Sequence, residues 1–154
     1  MVELKLEYAF STKVMLAKRL FFGPTPLGEK RGFVGTTGGE VYGPRLQGSV
    51  VANSGGDYPH MAEDGGLSFD SRYLLQASDG THILVHNRGF RHGPPKLLQA
   101  LLDGKEVDSS KLYFRNNPSF EAPVGPHEWL TRHVFVGTCE RMPDHSIFTY
   151  YIVN

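Results

Sequence analysis

The sequence is short of the features that announce most functions. Cysteine occurs once, at Cys139, so no disulfide within the chain can hold the fold, and a reducing compartment is the simplest expectation. Charge of either sign is not in excess: 16 Lys and Arg face 16 Asp and Glu. That balance argues against a nucleic-acid partner, which needs clustered positive charge to displace counterions from phosphates. Long apolar runs are missing too. The longest candidate, Val14 to Phe22, is broken by Lys18 and Arg19, well short of the roughly 18 apolar residues of a membrane span. The opening MVELKLEYAF holds no apolar stretch of signal-peptide length. The expectation is a soluble, cytoplasmic protein with no membrane partner.

Chemistry-bearing motifs are equally scarce. Gly35-Thr36-Thr37-Gly38-Gly39 and Asn53-Ser54-Gly55-Gly56 are glycine-rich, but neither ends in the Gly-Lys-Ser/Thr that holds phosphate and magnesium. Neither precedes a helix whose N-terminus could receive a phosphate. Gly66-Leu67-Ser68-Phe69-Asp70 lacks the second glycine of a nucleophile elbow. Seven histidines invite a metal reading, yet His82 and His86, on one parity of a strand, lie about 13 Å apart. A metal needs imidazoles within about 4 Å of each other. No histidine pair has the two-residue spacing a strand would require, and the expectation is no metal and no cofactor. Cys139, in an apolar run, reads as a small core residue.

What the chain has in quantity is turn chemistry and aromatics. Gly 18 and Pro 10 stand beside Phe 10, Tyr 7 and Trp 1, with only 7 alanines, a balance that favours many short strands over helices. Val2, Leu4, Leu6, Tyr8 and Phe10 alternate with Glu3, Lys5 and Glu7, which predicts a half-buried strand at the start of the chain. Leu67 to Ala77 and Thr81 to Phe90 flank Ser78-Asp79-Gly80, a hairpin signal. A second hairpin is predicted from Leu130 to Arg141 and Ile147 to Val153, with a turn at Met142-Pro143-Asp144-His145. One helix is expected over Lys96 to Leu102, opened by Pro94-Pro95 and closed by Asp103-Gly104. These elements predict one domain over residues 1–154, an all-β antiparallel barrel of about eight or more strands with one short helix. Closure would remove the exposed strand edges.

Carboxylates, arginines and tyrosines embedded in strand sequence are the remaining candidates. Asp70 and Arg72 share one face, with Phe69, Tyr73 and Leu75 on the other. Asp57 and Tyr58 follow Gly55-Gly56, and Arg115 precedes Glu121 by a few residues. A carboxylate in an apolar pocket has a raised pKa and can act as general acid or base near neutral pH. An arginine or tyrosine beside it could steady an enolate or carboxylate. The competing explanation is that Asp70–Arg72 and Arg115–Glu121 are structural ion pairs, the commoner source of such clusters.

At these residues the chain resembles the domain of unknown function 3237 family. The motifs that carry the resemblance are Gly23-Pro24-Thr25-Pro26-Leu27-Gly28, Gly43-Pro44-Arg45-Leu46-Gln47-Gly48, Gly55-Gly56-Asp57-Tyr58 and Asp70-Ser71-Arg72-Tyr73. Asp79-Gly80, Tyr113-Phe114-Arg115, Pro118-Ser119-Phe120-Glu121, Trp129-Leu130 and Phe135-Val136-Gly137 continue it. The resemblance implies a small barrel, similar in outline to allene oxide cyclase and dirigent proteins, which hold hydrophobic small molecules inside and often form oligomers. Tyr58 departs from the tryptophan usual in the family after Gly-Gly-Asp.

The resulting expectation is a barrel whose interior binds a small, partly apolar ligand. If it is an enzyme, it is a cofactor-independent cyclase, isomerase or lyase, with Asp57 or Glu121 as base and Arg115 stabilising an anion. Tyr58, Arg72, Tyr73 and Trp129 are the candidate substrate contacts. A non-catalytic binder and a structural module remain open beside it, and a neutral, aromatic-rich barrel would associate readily into homo-oligomers.

Overall fold

Asp79-Gly80 joins two long strands, as the sequence predicts, and Gly80 takes the positive φ of 90° that a tight turn needs. The computed structural model describes residues 1–154. Its strands are β1 (Leu6–Leu16), β2 (Leu20–Phe22), β3 (Lys30–Tyr42), β4 (Gly48–Val50), β5 (Gly56–Asp57) and β6 (His60–Met61). They continue as β7 (Leu67–Ala77), β8 (His82–His92), β9 (Tyr113–Glu121), β10 (Phe135–Arg141) and β11 (His145–Val153), with a single α-helix, α1 (Pro95–Leu102). Hydrogen bonding runs in the order β1-β11-β10-β9-β8-β7-β4-β3, and β3 pairs back onto β1. The result is a closed antiparallel barrel of eight strands, with β2, β5 and β6 as short additions and the one helix outside the ring.

Alternation places the core. On β7, Phe69, Ser71, Tyr73 and Leu75 are buried and point inward, while Arg72 is exposed. On β8 the inward set is Ile83, Val85, Asn87, Gly89 and Arg91. One end of the lumen is plugged by rings. Phe120 lies 5.5 Å from Phe10, 5.0 Å from Phe135 and 5.6 Å from Tyr150, mostly edge to face, an arrangement worth about 0.5–1.5 kcal/mol per pair beyond the area buried. Cys139 is buried in this core, and burial pushes its thiol well above the usual range.

Two local expectations need correction. Val2, Leu4, Leu6 and Tyr8 are exposed, not buried. The register against β11 slips between Tyr8 and Phe10. This bulge leaves Ala9 fully buried and makes Phe10, Thr12 and Val14 the inward set that follows. The second hairpin begins later than expected, because Glu128–Arg132 forms a 3-10 turn and β10 starts only at Phe135. Helix α1 buries Leu98 and Leu101 against Val107 and Leu112, a small cluster of its own beside the barrel core. No helix is long and apolar enough to cross a membrane.

Candidate functional site

The unplugged end of the lumen contains a cavity of about 80 Å³, room for several waters or a small organic molecule. The pairing registers fix its depth. Arg91 on β8 faces Leu67 at the start of β7, near the mouth. Asp57 pairs with Ser71 at mid-depth, and Tyr73 lies deeper along β7. Phe69, Phe114 and Phe148 supply apolar wall, while Arg19 and Arg141 join Arg91 in the lining.

Asp57 reaches this wall because two glycines let β5 slip between β3 and β7. A Cβ at Gly55 would lie 1.8 Å from the Arg72 carbonyl oxygen, and one at Gly56 would lie 2.5 Å from that of Val34. Only hydrogen side chains fit there. Asp57 Oδ1 accepts from the Asp70 backbone N–H at 2.9 Å and from the Ser71 hydroxyl at 3.1 Å. Its Oδ2 receives no hydrogen bond from the protein. Burial pushes the carboxyl up from 3.8 to about 6, against the opposing pull of the Ser71 and backbone hydrogen bonds. It is therefore poised to gain or lose a proton close to neutral pH.

The arginines form an unusual group. Arg91 is 5% exposed, makes no ion pair, and leaves its buried Nε without a partner. Its guanidinium lies 5.7 Å from the Phe114 ring. Burial, with the neighbouring charges of Arg19 and Arg141, lowers its pKa to about 10, still protonated at neutral pH. Arg141 donates to the Met142 and His145 carbonyls, and Arg19 donates to the Leu101 carbonyl at the end of α1. At the floor, the Tyr73 hydroxyl is buried beside the Tyr150 and Thr12 hydroxyls with no well-formed hydrogen bond, and burial pushes it up to about 12.

The candidates named from the sequence are divided by this geometry. Asp57 and Tyr73 line the cavity together. Glu121, Arg115 and Arg72 are exposed on the outer face of the barrel and line no part of the cavity. Parity explains this: on β9 the inward positions are Phe114, Asn116, Pro118 and Phe120, so Arg115 and Glu121 point out. Tyr58 is 53% exposed, its ring 5.0 Å from Phe33 outside the cavity. Trp129 caps the plugged end, 5.9 Å from Phe135, with the Arg45 guanidinium 4.3 Å over its ring. The two suggested structural pairs do not form. Asp70 Oδ1 instead meets His86 Nε2 at 2.7 Å, and Arg115 has no ion-pair partner. No three His, Cys, Asp or Glu side chains gather as a metal site would require.

Arg91, Arg141 and Arg19 were not among those candidates, although a signal existed for two of them. Arg91 continues the buried parity of Ile83, Val85 and Asn87, and Arg141 continues that of Phe135 and Cys139. A charge on the inward face of a strand is the pattern to look for.

Comparison with known proteins places the chain in a family of the same fold. Residues 4–153 match the family described as protein of unknown function, DUF3237. A UPF0311 protein of Bradyrhizobium diazoefficiens is 31% identical over 150 residues, covering 97% of each chain. The crystal structure of a conserved protein of unknown function from Rhodopseudomonas palustris has a TM-score of 0.95 at 28% identity, with both chains fully covered. A β-barrel-like protein from Acinetobacter baumannii reaches 0.86 at 32% identity, covering 100% of this chain and 98% of its own. An enzyme from Penicillium herquei shares the fold alone, at 19% identity and a TM-score of 0.73 over 100% of this chain and 97% of its own. The chain belongs to the DUF3237 family.

Proposed function

We propose that this DUF3237-family barrel binds a small, partly apolar molecule in the open end of its lumen and transfers a proton on it. Asp57 is the general acid and base, and the reaction is a cofactor-independent cyclisation, isomerisation or elimination. The observation that carries this reading is the placement of Asp57. Its carboxyl is held by Oδ1, left free at Oδ2, and shifted by burial to about 6 in the cavity wall. A base so tuned accepts a proton from a weakly acidic C–H or O–H and returns it at another atom of the same substrate. Negative charge developing on the substrate would meet the Arg91 guanidinium and the Tyr73 hydroxyl, both in the cavity lining.

A non-catalytic binder is the second reading, and one observation favours it. The bonds to Asp57 Oδ1 tie β5 to β7, a structural task that needs no reaction. Asp57→Asn separates the two. Molecules released from the purified protein on denaturation and identified by mass spectrometry supply the substrate. The Asn variant keeps the Oδ1 acceptor and the shape of the wall. Under the enzyme reading it retains binding and loses turnover by about 10²–10⁴-fold. Unchanged turnover rules out Asp57 as the base.

A further inference from the structure

We propose that the lumen selects organic acids: it seats a carboxylate against Arg91 at the mouth, an apolar ring against the wall of Phe69, Phe114 and Phe148, and an oxygen substituent on the Tyr73 hydroxyl at the floor. This rests on the reading of the lumen as a ligand site and names the class of molecule it takes.

Charge and burial carry the argument. Three arginines line the cavity against one carboxylate, Asp57, and none of the four enters an ion pair. Two of the arginines are more than nine-tenths buried, Arg91 at 5% and Arg141 at 8% exposure. Arg141 and Arg19 spend hydrogen bonds on backbone carbonyls, whereas Arg91 has an orphaned Nε and only an aromatic face nearby. A buried cation without a counter-charge is costly, and a guanidinium cannot escape the cost by losing its proton. A ligand carboxylate relieves that cost and presents the planar oxygen pair that a guanidinium fork binds best.

The rest of the wall limits what the acid is attached to. Inorganic phosphate would face three phenylalanine rings that offer it nothing. An aromatic or cyclic body fills that space and packs edge to face, as Phe69 and Phe114 already do at 5.5 Å. Tyr73 adds the third point. It is 2% exposed, lines the cavity, and its hydroxyl lies beside those of Tyr150 and Thr12 without a well-formed hydrogen bond to either, so a carbonyl or hydroxyl oxygen on the far side of the ring would satisfy it. Acid, ring and distal oxygen together describe hydroxy- or oxo-substituted cyclic acids. Asp57 flanks the ring between its two polar ends.

The test uses 4-hydroxybenzoate, its neutral isostere 4-hydroxybenzamide, benzoate and inorganic phosphate, titrated calorimetrically into wild type, Arg91→Met, Arg91→Lys and Tyr73→Phe. Circular dichroism confirms that each variant is folded. The expected result is that wild type binds 4-hydroxybenzoate at least about tenfold more tightly than the amide, in line with a charge-assisted hydrogen bond. Arg91→Met loses that preference, Arg91→Lys keeps part of it, and Tyr73→Phe binds 4-hydroxybenzoate and benzoate alike. Equal binding of acid and amide, or an Arg91→Met variant that still prefers the acid, overturns acid selectivity and leaves the ligand-binding reading standing. Phosphate bound as tightly as 4-hydroxybenzoate overturns the organic class. A lumen that holds neither acid nor amide overturns both.

Discussion

Replacing Asp57 by asparagine should make the protein more stable at neutral pH, and the gain should vanish in acid. The carboxyl ordinarily titrates at 3.8 and in the folded chain at about 6. The folded state therefore binds the proton more tightly than the unfolded state does. Above about pH 6, Asp57 is ionised in both states and folding carries the full cost of burying the charge. Below about pH 3.8 it is neutral in both and the cost is gone. The gap between the two values corresponds to about 3 kcal/mol at pH 7.5. Asparagine keeps the Oδ1 acceptor for the Asp70 N–H and the Ser71 hydroxyl and removes the charge, so a gain of about 1–3 kcal/mol is expected. For a chain of this length that is several degrees in Tm. Urea unfolding of both proteins, followed by circular dichroism from pH 4 to 7.5, measures it. Ion pairs elsewhere in the barrel, such as His127–Asp79 and His145–Asp144, are common to both proteins and cancel in the difference. A variant less stable than wild type at pH 7.5, with the deficit shrinking as the pH falls, would overturn this, because it would show a carboxylate stabilised where it sits.

Other perturbations follow from the same geometry. Tyr73→Phe removes a buried hydroxyl that has no well-formed hydrogen bond and should stabilise the unliganded protein by about 1 kcal/mol; a loss of stability in urea unfolding would mean the hydroxyl is satisfied. Gly55→Ala places a methyl 1.8 Å from the Arg72 carbonyl oxygen. It should cost about 3 kcal/mol or more by prising β5 from β7, and a cost below 1 kcal/mol in the same assay would contradict this packing. Trp129, the single tryptophan, caps the plugged end, so its fluorescence should barely change when 4-hydroxybenzoate enters the cavity. Strong quenching would place the ligand at the wrong end of the barrel.

Most of the fold was legible because strands announce themselves by parity and turns by glycine and proline. Asp79-Gly80 and the runs beside it gave the β7–β8 hairpin nearly to the residue, and Pro94-Pro95 with Asp103-Gly104 bracketed α1. The failures share a physical cause. A bulge at Ala9 reverses parity without leaving a mark in composition, so Leu6 and Tyr8 were expected inside when they are exposed. The site was half legible. Asp57 and Tyr73 stood out as a carboxylate and a phenol in strand sequence, but motif proximity also drew in Arg115, Glu121 and Arg72, whose parity turns them outward. Arg91 and Arg141 sit at the ends of apolar strand runs, outside any motif that draws attention to them. Within the barrel, their most informative property is burial without an ion pair, and for Arg91 an Nε with no partner at all.

If ligand chemistry belongs to the inside of the barrel, among Asp57, Arg91 and Tyr73, and not to its charged outer face, a bound acid perturbs the lumen alone. Mapping amide and arginine side-chain shifts in ¹H–¹⁵N spectra during a 4-hydroxybenzoate titration tests this directly. Shifts are expected at the Arg91 Nε–H and at the backbone amides of Asp57, Phe114 and Tyr73, with the side-chain Nε–H of Arg72 and Arg115 and the Glu121 amide unmoved. Shifts confined to those outer residues, or a lumen that does not respond, would contradict it.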